Sequence, residues 1–194
     1  FKVPCVIVTT SAENWSMEEL SSVSIDDEKA GETIVDYLID HGHTKIAEIG
    51  ANLELSQTAI LRHNGYLNSF KKHGITPDER YYERARFSYD SAYHAMKKLL
   101  EKDIEITAVY AISDVMAIGA IRAILDKGLR VPEDISITGF DGSTLAEYYN
   151  PKIVSIRQPH KDMAARSVEL LFSMIDLHKG SCHEIIPFEL TEGE

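Results

Sequence analysis

The chain has 194 residues, 44% of them hydrophobic, and a net charge of −11. That is enough apolar material for one large core or for two small lobes around a cleft. No run of eighteen apolar residues offers a membrane span, and no stretch gathers Lys and Arg on one face as a nucleic-acid surface would.

Phe1-Lys2-Val3-Pro4 leads directly into an apolar run, without a methionine or a polar lead-in, so the chain is expected to begin inside a domain. In chain order, strand-like runs lie at 3–8 and 23–25, followed by a helix over 29–41 that places Ile34, Tyr37, Leu38 and Ile39 on one side. A strand at 46–49 precedes a helix over 57–72, with Ser56 as N-cap and Ile60, Leu61, Tyr66, Leu67 and Phe70 grouped together. A strand at 85–87 leads to a helix over 89–102 carrying Tyr93, Met96, Leu99 and Leu100 inward. After a strand at 108–112, a helix over 114–127 begins behind Asp114, the expected cap. Strands at 135–138 and 153–156, a long helix over 160–178 and a strand near 185–190 complete the series. Such β and α alternation predicts parallel sheet with helices on both faces.

The segment from Gly128 to Asp141 is the most telling. Gly128 supplies the left-handed residue that closes a helix, and Pro132 keeps that helix from resuming. Ile135, Ile137 and Phe140 then form a buried strand that delivers Asp141 to a sheet edge. There a carboxylate either accepts hydrogen bonds from a polar ligand or starts a turn with Gly142 and Ser143. Cys5 and Cys182 are far apart, without metal-ligand spacing, and are expected to be small buried hydrophobes. His41 and His43 flank Gly42 at a helix end, and no His-Glu-x-x-His set, Gly-x-Ser-x-Gly elbow or phosphate-binding glycine loop occurs. Neither a metal, a cofactor nor an enzyme activity is expected.

Five segments in register carry a resemblance. They are Val23-Ser24-Ile25-Asp26-Asp27, Gly42-His43-Thr44-Lys45-Ile46-Ala47-Glu48-Ile49-Gly50, Arg62-His63-Asn64-Gly65-Tyr66, Ser113-Asp114-Val115-Met116-Ala117-Ile118-Gly119-Ala120, and the stretch from Gly128 to Asp141. Together they resemble the effector-binding region of LacI/GalR-type bacterial transcription regulators. The resemblance implies a periplasmic-binding-protein-like α/β fold of two lobes, each a parallel sheet flanked by helices, with the first lobe incomplete in this chain. Residues 1–26 and 158–186 would form part of the first lobe, and residues 27–157 with 187–194 the second.

It further implies a small-molecule effector, most simply a sugar, bound in an interlobe cleft to modulate operator binding by a cytoplasmic homodimer. DNA would be held by a headpiece that this chain lacks. The alternative is a periplasmic sugar-binding protein of a transporter, which shares the fold but not the DNA. On the matching motifs, Arg62 and Asp141 would bind hydroxyls, Phe87 would stack on a sugar face, and Ser113 stands where many relatives carry Asn. Thr9 ends the first strand, where some relatives have an acidic contact. Asp26 and Gln158 fall at the expected crossovers, either facing the cleft mouth or bonding the backbone at the hinge.

Overall fold

The computed structural model describes residues 3–12, 20–176 and 180–191. Its elements run β1 (Cys5–Val8), β2 (Leu20–Ser24), α1 (Asp27–Asp40), β3 (Ile46–Gly50), α2 (Gln57–Lys72), a 3-10 turn (Glu79–Tyr81), β4 (Tyr82–Arg84) and α3 (Tyr89–Glu101). They continue through β5 (Ala108–Ala111), α4 (Asp114–Asp126), β6 (Ser136–Thr138), α5 (Thr144–Tyr148), β7 (Ile156–Arg157), α6 (His160–Asp176), β8 (His183–Ile185) and β9 (Glu189–Leu190). The chain divides into two compact units, residues 1–27 with 158–188, and residues 28–157 with 189–194.

In the smaller unit, β1, β2 and β8 form a parallel sheet with β2 in the middle, and α6 packs on β1 and β2. Every residue of β2 is buried, three serines included. Two of the hydroxyls are used: Ser22 Oγ accepts from Ala12 N at 3.1 Å, and Ser21 Oγ accepts from Cys182 N at 3.0 Å. Buried hydroxyls satisfied in this way carry little penalty. Cys5 and Cys182 are both exposed, contrary to the expectation of buried thiols. Cys5 lies on a flanking strand, and Cys182 precedes β8, so neither is enclosed by the sheet.

The larger unit is built on a parallel sheet of order β4-β3-β5-β6. β3 and β5 are buried at every position, the apolar signature of central parallel strands. With the right-handed crossovers that parallel strands require, this order assigns α2 to one face and the mutually packed α3 and α4 to the other. Gly119 lets α4 approach α3, since a Cβ there would stand 2.2 Å from Tyr89 O. β7 and β9 pair antiparallel, while single parallel bridges, Thr138 to Val154 and Asp141 to Arg157, extend the β6 edge.

Among the described residues the five longer helices fall where their periodicity predicts, while the short α5 is not among those expected. Ser56 caps α2, accepting from Ala59 N at 3.2 Å, and Gly128 closes α4 with φ of +82°. Other details differ. The edge strand β4 is Tyr82–Arg84, not 85–87, because a strand paired on one side tolerates charged Glu83 and Arg84 while apolar Ala85 and Phe87 lie past its end. The predicted strand near 185–190 is two short strands in different sheets, interrupted at Pro187. The end of the helix expected over 160–178 lies outside the described residues. On α2 the buried stripe is Ala59, Arg62, Gly65, Tyr66, Ser69 and Phe70, whereas Ile60, Leu61 and Leu67 are only half-buried. No helix among the described residues is long and apolar enough to cross a membrane.

Candidate functional site

In the order β4-β3-β5-β6, the chain moves outward from β3 to β4 and then returns past β3 to β5. The connections after β3 and β5 therefore diverge, the topology at which open α/β sheets place a ligand crevice, at the carboxyl ends of the strands. Parallel strands bring their ends to one edge, so the segments bearing Phe87, Ser113 and Asp141 all emerge there, after β4, β5 and β6. Arg62 arrives from α2, the helix that leaves β3.

Arg62-x-x-Gly65-Tyr66 works as a unit. Tyr66 turns into the core and donates its hydroxyl to Ile46 O at 3.0 Å, while Gly65 abuts α1, where a Cβ would stand 2.3 Å from Glu28 O. Arg62 is thereby held against the sheet edge. Although only 3% exposed, its guanidinium donates to Ile112 O at 2.6 Å, lies 3.5 Å over the Phe140 ring and approaches Asp141 Oδ1 to 3.8 Å. A buried cation needs such partners, and the carbonyl, ring and carboxylate supply them. Asp141 is one-third exposed, so its carboxylate joins the buried guanidinium to the surface.

Thr9 and Asp141 are the two non-glycine residues with positive φ among the described residues, at 74° and 110°. Backbone held in this region costs about 1–3 kcal/mol and persists where its surroundings enforce it, commonly at binding sites. For Asp141 the enforcement is visible. Its N–H donates to Ile156 O at 2.9 Å, and Gly139 N–H donates to Val154 O at 2.9 Å.

Ser113 and Asp114 divide their work differently from the expectation that Asp114 caps the helix. Ser113 is the N-cap, accepting from Met116 N at 3.3 Å. Its hydroxyl oxygen is thus engaged, and its hydrogen remains to donate. Asp114 instead ties the Asp141 turn to α4: it accepts from Ser143 N and from Ser155 Oγ, each at 2.6 Å, and its own N–H donates to Phe140 O at 2.7 Å. Burial raises its carboxyl above the ordinary aspartate range, and the hydrogen bonds from Ser155 and Ser143 oppose that. A close Gly139 is required here, because a Cβ would meet Asp114 Oδ1 at 2.3 Å.

Phe87 is half exposed, so its ring lies outside the core of the unit. Thr9, Asp26 and Gln158 belong to the smaller unit. Thr9 ends β1 with its N–H on Val23 O at 2.9 Å, Asp26 is exposed, and Gln158 is buried ahead of α6, with its carbonyl accepting from His160 N. The larger unit thus brings Arg62 and Asp141 into contact.

Sequence comparison agrees with this architecture, since residues 35–194 match the model of the periplasmic binding protein-like domain. The chain belongs to that family. Among curated proteins it is similar to the HTH-type transcriptional regulator MalR of Clostridium butyricum, 39% identical over 192 residues, covering 98% of this chain and 57% of the relative. It is 36% identical over 174 residues to the HTH-type transcriptional repressor PurR of Pasteurella multocida (strain Pm70), covering 90% and 51%. Among solved structures, a complex of the transcriptional regulator CelR with cellobiose superposes with a TM-score of 0.89 at 30% identity, covering 97% of this chain and 57% of that one. These relatives are LacI-type transcriptional regulators rather than enzymes, and the chain spans about half the length of the curated relatives it matches.

Proposed function

We propose that the chain is the effector-sensing part of a cytoplasmic LacI-type transcriptional regulator, and that its effector is a sugar. The observation that carries this reading is the buried Arg62 guanidinium at the strand-end crevice, within 3.8 Å of an Asp141 held at positive φ. A guanidinium fork beside a carboxylate presents donors and acceptors to adjacent hydroxyls, the pattern of a sugar edge. Half-exposed Phe87 offers a ring for the apolar sugar face, and Ser113 a further donor. Thr9, Asp26 and Gln158 are the contacts proposed from the smaller unit. The cellobiose bound to CelR supports the ligand class. Binding alters operator affinity only if the effector favours one arrangement of the whole regulator over another.

Calorimetric titration of the full-length protein with mono- and disaccharides tests this. A sugar that binds is expected to bind Asp141→Asn roughly 30-fold more weakly, the equivalent of about 2 kcal/mol for a charged hydrogen bond. Undiminished affinity in Asp141→Asn would remove the site assignment, and consumption of the sugar with turnover would replace a sensor by an enzyme.

The regulator is proposed to be a homodimer. A groove of about 620 Å3 runs along α3 and α4, lined by Tyr89, Tyr93, Ile118 and Tyr149, with Asp90, Arg122 and Asp126 beside them. Aromatic lining that carries both signs of charge suits a self-complementary two-fold contact. Sedimentation of the full-length protein at micromolar concentration is expected to show a dimer that Ile118→Asp dissociates; a wild-type monomer there contradicts it.

A further inference from the structure

β3 reads Ile46-Ala47-Glu48-Ile49-Gly50 and is buried throughout, so the carboxyl at its centre demands a partner. Glu48 Oε2 lies 2.7 Å from Nδ1 of His63 on α2, and its Oε1 has no hydrogen-bond partner among the described residues. Register places Tyr82 on one side of Glu48 and Tyr110 on the other, on the same face of the sheet. The His63 ring is edge-on to Tyr82 at 5.1 Å and stacked toward Tyr66 at 6.1 Å. The titratable groups facing Glu48 are therefore His63 and Tyr66 from α2, Tyr82 from β4 and Tyr110 from β5. Asp78 and Tyr81 bear on Tyr66, and Arg84 on Tyr82.

A carboxylate with one oxygen buried and unbonded is costly, and beside a neutral imidazole nothing compensates it. One titratable proton held by the pair, on Glu48 Oε2 or as imidazolium at His63 Nδ1, removes the net charge from the buried site. We propose that Glu48 and His63 are a positioning pair that holds one shared proton across neutral pH and with it seats α2, and hence Arg62, on the sheet. His63 follows Arg62 directly, and both contact the sheet side, one at the strand centre and one at the crevice. The charge state of the pair is thus one residue of helix away from the guanidinium.

The sign of the pH dependence follows. Burial raises the Glu48 carboxyl, its bond to His63 opposing that; burial lowers His63, and the hydrogen bond and charge of Glu48 outweigh it, so His63 is raised as well. The folded protein therefore holds a proton that the unfolded chain releases near the ordinary histidine value of 6.5. The stabilisation is fully present below that value and is lost as pH rises through the higher folded value.

The consequence for ligand binding rests on reading Arg62 as an effector contact; the titration itself does not. The test is NMR of the ligand-free full-length protein from about pH 5.5 to about pH 9, reading the His63 ring and Arg62 Nε, with urea unfolding alongside. His63 is expected to titrate above the ordinary value, with Arg62 Nε following at the same midpoint. Glu48→Gln should return His63 to the ordinary value or below and flatten the Arg62 profile. The wild-type unfolding constant should rise up to about tenfold more per pH unit than that of Glu48→Gln on the alkaline side of neutrality. If Glu48→Gln does not fold, His63→Gln serves the same comparison of slopes. A wild-type His63 that titrates at or below the ordinary value, or an Arg62 signal indifferent to it, overturns the proposal. A failed sugar titration would count against the effector reading alone, since both NMR signals are read without ligand.

Discussion

Gly65→Ala is expected to destabilise the larger unit by about 3 kcal/mol, although an added methyl in an open helix stabilises by about 1 kcal/mol. The reversal comes from what the methyl meets. A Cβ on Gly65 would stand 2.3 Å from Glu28 O and 2.5 Å from Glu32 N, both backbone atoms of α1. Neither can yield by changing a rotamer, so α1 and α2 must separate. That separation also strains the clasp of Asp36 with Ser69 and Lys72 and displaces Arg62 from Ile112 O. Gly31 is the reciprocal contact, since a Cβ there would meet Arg62 O at 2.6 Å. Gly31→Ala should therefore cost a similar amount, and the double variant less than the two together, because once the helices part the second methyl adds little. Urea unfolding followed by far-ultraviolet circular dichroism reads all three. A Gly65→Ala protein as stable as wild type would show that α1 slides freely on α2, and that the glycine does not hold Arg62 in place.

Much of this arrangement is legible in the amino-acid order, and the exceptions have physical causes. Helical periodicity and the Ser56 and Gly128 boundaries are local, so the termini of α2 and α4 follow from residues within one turn. The buried stripe on α2 is not local. Periodicity favours Ile60, Leu61 and Leu67, yet the close approach of α1 selects small residues, and the stripe becomes Ala59, Gly65 and Ser69 around Arg62. Edge strand β4 escapes an apolar pattern because it is paired on one side only. The Glu48–His63 pair joins residues fifteen apart on different elements. Its signal was a single carboxylate within an apolar strand run, which either must be paired or argues against the strand.

Arg62 itself reads differently once its partners are known. As a helical arginine at a site it would be expected to leave the ligand-free protein unaffected when truncated. Buried, bonded to Ile112 O and stacked on Phe140, it contributes to stability as well as to any ligand. Asp141, one-third exposed, is the cleaner probe of binding.

Asp114→Ala is the second large effect, at about 2–4 kcal/mol of lost stability. The carboxylate is buried and accepts from Ser143 N and Ser155 Oγ, so truncation leaves an N–H and an O–H without their acceptor. The bond from Ser143 N also joins the start of α4 to the turn carrying Asp141 at φ of 110°, and Ser155 Oγ in turn accepts from Gly142 N at 3.0 Å. With the clasp gone, the strained residue can relax toward ordinary φ and its carboxylate moves away from Arg62. Effector affinity should therefore fall although Asp114 is not a proposed ligand contact. Asp114→Asn, which keeps one acceptor oxygen and loses the other, should fall between wild type and alanine in both stability and affinity. Thermal unfolding and calorimetric titration of the three proteins separate the roles. If Asp114→Ala lost stability but bound the effector as wild type does, Asp141 would be held by β6 and its bond to Ile156 O alone, and the Asp114 clasp would have no part in shaping the site.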